Sequence, residues 1–118
     1  MIGRIQDRAT FATFARGRRA RCGPVRLRFV PAEPSSELAG IKSARVAYAI
    51  NRKVGNAVTR NRVRRRLRAA LSELERSDPG ALLSGSYLFS ADAIVTELPF
   101  AEVRDLVDCV VERAGARG

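Results

Sequence analysis

The sequence contains no histidine and only two cysteines, and each shortage removes a class of chemistry. Without histidine the chain cannot form a Ser-His-Asp or Cys-His catalytic group, and most zinc sites are excluded as well. Cys22 and Cys109 stand 87 positions apart and belong to no CxxC motif. This spacing predicts neither a metal cluster nor a disulfide framework, so we expect two thiols without a role in a reducing, cytoplasmic compartment.

Long apolar segments are absent as well. No run approaches the roughly 18–20 residues of a membrane span. Charged residues interrupt the first 21 positions, where a signal peptide would need an apolar stretch. We therefore expect a soluble protein without a membrane partner. The length of 118 residues, of which 46% are hydrophobic, predicts that residues 1–118 form a single domain with its own core.

Positive charge is abundant and unevenly distributed. The chain has 22 Lys and Arg residues against 12 Asp and Glu residues, which gives a net charge of +10. Residues 1–71 carry 18 basic and three acidic side chains, whereas residues 72–118 carry four and nine. One side of the molecule should therefore be strongly positive, which favours a polyanionic partner such as a nucleic acid.

Hydrophobic periodicity predicts the element order α-β-β-α-β-α, which is an α+β fold. Alternating apolar positions predict three strands, at 25–30, 45–50 and 86–91. The first of these strands carries Arg26 and Arg28 on its polar face, and residues 18–24 before it are interpreted as a basic connector. We expect an antiparallel or mixed sheet of three to four strands.

Three helices should pack on this sheet. A short one from Arg8 to Arg16 is expected to end at Gly17. A long one is capped by Asn56 and ended by residues 78–80, and the last one takes Pro99 as its first residue.

The long helix is the most informative segment. Its apolar positions repeat with 3.6-residue spacing and form one narrow stripe: Val63, Leu67, Ala70, Leu71 and Leu74. At about 100° per residue, the rest of its surface carries guanidinium groups: Arg62, Arg64, Arg65, Arg66 and Arg68. A solvated basic face is the plain interpretation. A phosphate backbone that relieves the repulsion between these arginines is the functional one.

The run from Arg52 to Arg68 resembles the signature of the bacterial ribonuclease P protein subunit, a KKVGNAV-like loop leading into an RNR helix. The resemblance implies that the arginine helix lies in a left-handed βαβ crossover. It implies no catalytic residue in the protein, because a large catalytic RNA removes the 5′ leader from precursor tRNA. Mg²⁺ would be bound mainly by that RNA, and no obligate protein partner is expected.

The resemblance also assigns residues to two surfaces. Those expected to bind the catalytic RNA are Arg52, Lys53, Asn56, Arg60, Asn61, Arg62, Arg64, Arg65 and Arg68. Those expected in a cleft for the single-stranded leader are Phe11, Phe14, Arg26 and Arg28. Asn61 is also a candidate for ordering a metal ion or water near RNA phosphate.

This sequence departs from the family pattern at two positions of the leader cleft. Ala15 stands where a second aromatic residue often occurs, and Arg28 stands where the first strand commonly offers an aromatic ring. A guanidinium can stack on bases in place of a ring. Both phenylalanines of the first helix have an alternative interpretation as core residues.

Three other functions remain open from the residues alone. A structural, ribosomal-type RNA-binding protein would share the small basic domain. A stand-alone nuclease would need clustered carboxylates for metal ions, and residues 38–72 contain none. A helix-turn-helix DNA-binding protein is disfavoured, because a strand rather than a helix precedes the arginine helix.

Overall fold

The computed structural model describes residues 2–4, 14–32 and 44–117. Its strands are β1 (Ile2–Arg4), β2 (Arg18–Cys22), β3 (Val25–Pro31), β4 (Ala44–Tyr48) and β5 (Gly85–Ala91). Its α-helices are α1 (Ala57–Ser77) and α2 (Phe100–Arg113). Single 3₁₀ turns occupy Phe14–Arg16, Arg52–Val54 and Ala93–Thr96.

The strands form one mixed sheet in the order β1-β4-β5-β3-β2. Strand β4 is parallel to both β1 and β5, whereas β3 is antiparallel to β5 and β2. Helix α1 connects the neighbouring parallel strands β4 and β5, which is the expected βαβ crossover. Its left-handed sense stays a prediction.

The predicted α+β class is confirmed, but two details differ. The sheet has five strands instead of three to four, because residues 18–22 of the expected basic connector form the edge strand β2. The structure describes two α-helices instead of three in its part of the chain. Most of the predicted first helix lies outside the described residues, and its last three residues, Phe14–Arg16, form a 3₁₀ turn.

Helix α1 begins and ends where the sequence predicts. The Asn56 side-chain oxygen accepts a hydrogen bond from the backbone N–H of Thr59 at 2.9 Å, which caps the helix. The five apolar residues of the predicted stripe are all buried. Helix α2 starts one residue later than expected, with Pro99 as its cap and not as its first helical residue.

Both helices pack on the same face of the sheet and close the main core. The valines of α2 meet the α1 stripe and the inward residues of β3 and β5, among them Leu27, Phe29 and Phe89. The described helices include none with the length and apolar character that a bilayer crossing demands.

Replacing Leu67 with Ala should unfold the protein more easily than replacing an exposed residue of the same helix. Leu67 is 1% exposed in the main core, so the free energy of unfolding should fall by about 2–5 kcal/mol. Val58 is 60% exposed, and Val58→Ala should change that free energy by less than about 0.5 kcal/mol. Urea denaturation of both variants checks this, and equal losses would contradict the observed packing.

The prediction that the two cysteines form no disulfide is wrong. Cys22 at the end of β2 and Cys109 in α2 form a disulfide, with their Cα atoms 6.3 Å apart. Because the residues are 87 positions apart, no local spacing could reveal the pair. Only the packing of α2 against the β2–β3 hairpin brings the two sulfur atoms together.

Candidate nucleic-acid interface

The first three turns of α1 present a cationic surface, which we call the arginine face. It lines a groove of about 520 Å³ formed by Val58, Asn61, Arg62, Arg64, Arg65 and Arg68. Arg62, Arg65 and Arg68 are exposed. In the described parts of the chain no acidic side chain forms an ion pair with these three arginines. The arginine face is therefore free to bind anions.

Arg66, on the same helix, has a different role. Its guanidinium donates a hydrogen bond to the backbone carbonyl of Val95 at 2.5 Å, and the side chain is half-buried. Arg66 thus fixes the 3₁₀ turn after β5 to α1. The sequence pattern did not distinguish this structural arginine from its exposed neighbours.

The turn before α1 projects two more cations beside the arginine face. Arg52 and Lys53 are exposed, whereas Val54 packs against the main core and anchors the turn. Gly55 has a φ of 153°, and a Cβ atom there would lie 3.0 Å from the Thr59 Cβ. Only glycine adopts this backbone conformation without strain. Because Gly55 fixes the path of the chain into α1, Arg52 and Lys53 lie close to the N-terminal, positive end of the helix.

The opposite face of the sheet contains a cleft of about 880 Å³. Its cationic wall, the arginine ladder, comes from β2 and β3 and consists of Arg19, Arg21, Arg26 and Arg28. The antiparallel register places Arg19 opposite Arg28 and Arg21 opposite Arg26. The predicted residues Arg26 and Arg28 on β3 therefore line a cleft, and β2 adds two further arginines to its wall.

Arg26 is the one member of the ladder that is paired with an acid in the described structure. Its guanidinium lies 3.0 Å from the Asp92 carboxylate, and its Nε donates to the Ser90 hydroxyl at 3.2 Å. Arg21 donates from Nε to the backbone carbonyl of Gly23 at 3.0 Å. Arg19 and Arg28 lie at the part of the ladder where cationic charge is least compensated.

Of the two aromatic residues predicted in the cleft, Phe11 and Phe14, the structure describes only Phe14. Phe14 is 1% exposed and packs with Ala47, Val30 and Leu88 on the cleft side of the sheet. Its ring is therefore buried on that side of the sheet, and its predicted place in the leader cleft stays a prediction. The small residue Ala47 leaves space under the 3₁₀ turn that the ring fills. Phe11 lies outside the described residues.

The cleft and the arginine face meet at one edge. Arg64 lines both cavities, and Tyr48 and Asn51 line the cleft beside it. The Tyr48 ring stacks on Phe89 with 6.0 Å between centroids, and the Arg68 guanidinium lies 5.6 Å from the centre of the Tyr48 ring. The two cationic surfaces are thus continuous. The sequence analysis missed four lining residues: Arg19, Arg21, Tyr48 and Asn51. The sheet order joins the first three to the other site residues, whereas Asn51 directly precedes Arg52, and this adjacency was a signal that could have found it.

Apart from Asp92, which pairs with Arg26 in the cleft, the acids of the second half that form ion pairs lie on the helical side. Arg104 donates to the Glu73 carboxylate at 2.7 Å, which joins α2 to α1. Arg117 pairs with Asp108 and with Asp78, the latter at 3.5 Å. These acids therefore stabilise the helical side of the molecule and leave the arginine face uncompensated.

Comparison with known proteins now identifies this arrangement. The Ribonuclease P family profile matches residues 3–115, almost the whole chain. The chain belongs to the ribonuclease P protein family. The ribonuclease P protein component of a Nocardioides species is 38% identical over 116 residues, which cover 96% of this chain and 92% of that protein. The component of Paramagnetospirillum magneticum is 32% identical over 98% of this chain and 84% of its own length.

Solved ribonuclease P proteins have the same fold. The Staphylococcus aureus protein superposes with a TM-score of 0.73 at 18% identity and covers 98% of this chain and 97% of its own. The Thermotoga maritima protein gives a TM-score of 0.66 at 21% identity, with 93% and 96% covered. The predicted family and the predicted role as protein component of ribonuclease P, the enzyme that processes tRNA 5′ ends, are confirmed.

The described residues of this ribonuclease P protein do not fit a metal ion by themselves. Asn61, the candidate metal-ordering residue, accepts a hydrogen bond from Arg64 at 2.9 Å, and apart from Val58 its other neighbours in the groove are cationic. Within the described ranges, no three acidic or cysteine side chains cluster as metal ligands. Hard cations such as Mg²⁺ need several oxygen ligands, which the arginine face does not supply.

The two tyrosines of this ribonuclease P protein should resist ionisation. Burial raises the pKa of Tyr48 from 10.0 to about 12, although the Arg68 charge and hydrogen bond lower it. Burial, together with the Glu75 charge, raises the pKa of Tyr87 further. We expect no tyrosinate absorbance in the folded protein between about pH 10 and 11, and ordinary titration near pH 10 in denaturant.

The raised pKa values of the two tyrosines also predict how the free energy of unfolding changes with pH. Both folded-state pKa values lie above the unfolded value, so the stabilisation is fully present below about pH 10 and is lost as the pH rises through the folded values. An ultraviolet titration in native buffer and in denaturant measures this. Tyrosinate that forms near pH 10 in the folded protein would contradict the burial of both phenols.

Proposed function

We propose that this ribonuclease P protein component binds the catalytic RNA through the arginine face and the turn before it. The single-stranded 5′ leader of precursor tRNA then lies in the cleft. The protein residues bind and orient RNA, and hydrolysis of the phosphodiester takes place on the RNA subunit. Residues 1–118 act together as one domain in this proposal.

The observation that carries the proposal is the continuity of two cationic surfaces on different elements. Arg64 lines both the groove on the arginine face and the larger cleft. A folded RNA presents a broad surface of phosphates, which suits a helix with several exposed arginines. A single strand is narrow and suits the cleft, whose wall is lined by cations. One RNA subunit and one leader can therefore be bound side by side.

Contacts to the leader should be dominated by phosphate groups. Arg28 occupies the strand position where the family commonly has an aromatic ring, and the Phe14 ring is buried. Four guanidinium groups instead line the cleft wall. Arg19 and Arg28, which form no ion pair in the described parts of the chain, can each bind a phosphate through two hydrogen bonds. Phe11 remains our proposed stacking residue. We expect leader binding to depend steeply on salt and weakly on base sequence.

The Mg²⁺ of the holoenzyme is proposed to be held by RNA. Phosphate oxygens are hard ligands of the type that Mg²⁺ prefers, and the arginines of this chain neutralise phosphate charge without competing for the metal as ligands. The protein should therefore lower the Mg²⁺ concentration that the RNA needs.

A cleavage assay at low Mg²⁺ tests the proposal. Precursor tRNA is incubated with the protein alone, with bacterial ribonuclease P RNA alone, and with both. We expect efficient cleavage at the mature 5′ end only in the mixture. Cleavage by the protein alone would indicate a stand-alone nuclease. RNA binding without any effect on cleavage would indicate a structural RNA-binding protein.

A further inference from the structure

The Cys22–Cys109 disulfide lies outside the RNA surfaces but acts on the strand that carries half of the arginine ladder. Cys22 is the last residue of β2, and Arg19 and Arg21 precede it on the same strand. Strand β2 is at the edge of the sheet, so β3 is its sole neighbour there. An edge strand with one neighbour opens more easily than a central strand.

Besides the disulfide, β2 is tied to the helical side by the packing of Ala20 and Cys22 against the main core and by two side-chain hydrogen bonds. Arg113 donates a hydrogen bond to the Arg21 carbonyl at 2.9 Å, and both residues are exposed. Arg18 donates to the Gly115 carbonyl at a long 3.4 Å. The disulfide is the covalent link between β2 and α2. Its state should therefore determine how firmly the arginine ladder is held.

We propose that Cys22 and Cys109 form a thiol–disulfide exchange site that takes low-molecular-weight thiols and disulfides, and that its oxidised state fixes the cleft wall. This inference rests on the proposed function of the cleft. In a reducing compartment such a disulfide is transient and commonly redox-sensing. We therefore treat the pair as exchangeable and not as a permanent brace.

Access to the two sulfur atoms is unequal. Cys22 is 5% exposed, whereas Cys109 is half-buried on α2. An incoming thiolate therefore attacks Sγ of Cys109, the protein S–S bond breaks, and Cys22 leaves as a thiolate that takes up a proton.

A second small thiol then attacks the mixed disulfide on Cys109. This step releases the Cys109 thiol and one small disulfide. In total the protein gains two electrons and two protons, and two small thiols are oxidised to a disulfide. A small disulfide reverses both steps with the same balance.

Oxidation should strengthen binding of the leader. When β2 is tied to α2, Arg19 and Arg21 are already positioned, and less conformational freedom is lost when phosphates bind. After reduction the strand keeps its pairing with β3 but opens more often. The arginine face lies on α1 and is independent of this link, so binding of the RNA subunit should not change.

The first test needs no RNA. The full chain is equilibrated with oxidised or reduced glutathione, and free thiols are counted by maleimide labelling and mass spectrometry. We expect no labelled cysteine after oxidation, two after reduction, and slower hydrogen exchange of Arg18–Cys22 in the oxidised protein. Two free thiols after oxidation, or unchanged exchange, would overturn the proposal.

The second test measures binding to precursor tRNA with its leader and to mature tRNA, in the presence of ribonuclease P RNA. The oxidised protein should bind the precursor about fivefold more tightly than the reduced protein. This factor is at the lower end of the affinity changes that one site typically causes at another. Mature tRNA should bind equally to both forms. Equal affinity of both forms for the precursor would count against the proposal.

Two variants assign the effect to this pair. Cys109→Ala removes the accessible sulfur and leaves the core residue Cys22 in place, and Cys22→Ala is its counterpart. Both should bind the precursor like the reduced wild type in oxidised and in reduced glutathione, although Cys109 in Cys22→Ala can still form a mixed disulfide with glutathione. A fivefold gain in precursor affinity on oxidation of Cys109→Ala would overturn the proposal. If neither redox form stimulates cleavage by the RNA subunit, the proposed function fails, whereas thiol counts and hydrogen exchange still report on the disulfide site.

Discussion

Charge reversal at Arg65 is expected to weaken binding of ribonuclease P RNA by about one to two orders of magnitude at low salt, and to reduce the slope of log K against log salt concentration by about 1. Arg65 is exposed in the middle of the arginine face. Glutamate at this position removes one phosphate contact and repels its neighbours. Binding titrations over a range of salt concentrations measure both quantities.

A matched control lies on the same helix. Arg76 is exposed in the last turn of α1, outside the arginine face. Arg76→Glu changes the net charge by the same amount as Arg65→Glu, yet it should leave the salt slope close to that of the wild type. Equal losses in both variants would mean that net charge, and not contact with the arginine face, governs binding.

Replacement of Arg28 by alanine should weaken the binding of precursor tRNA more than the binding of mature tRNA. Arg28 points into the cleft opposite Arg19, so its loss should weaken binding of leader-bearing precursor tRNA about tenfold, as expected for one lost charge-assisted hydrogen bond. Mature tRNA lacks the leader and should bind within about twofold of the wild type. Competition binding with the two RNAs gives the ratio directly.

Arg18→Ala provides the comparison for Arg28. Arg18 lies on the other face of β2, where its guanidinium is 5.9 Å from the centre of the Phe29 ring. Its removal should affect both tRNA ligands alike. If Arg28→Ala also affects both ligands alike, the cleft does not hold the leader, and the assignment of Arg28 fails.

Local patterns were sufficient to predict much of this molecule. The α1 stripe repeats every 3.6 residues over a long helix, and Asn56 is a strong capping residue, so both could be recognised without tertiary information. The arginine face follows from the same periodicity, because residues that are not on the stripe must point away from the core. The strand that carries Arg26 and Arg28 alternates cleanly.

Features that depend on distant pairing could not be predicted. The alternation in strand β2 is short and has only Ala20 and Cys22 as its apolar positions, so its pairing with β3 defines it. The Arg26–Asp92 ion pair joins residues 66 positions apart, and it follows from the register of β3 with β5. Phe14 is buried because Ala47, on a strand far along the chain, leaves space for its ring. Each of these outcomes requires the sheet order.

The position of β5 also sets the timing of folding during synthesis. This strand lies in the centre of the sheet, between β4 and β3, yet it is the last strand in the chain. Until residues 85–91 have left the ribosome, the β2–β3 hairpin and the β1–β4 pair have no strand to join them. A nascent chain of this protein therefore exposes its arginine-rich hairpin and helix before its core can close. Early binding to RNA would compete with folding during that interval.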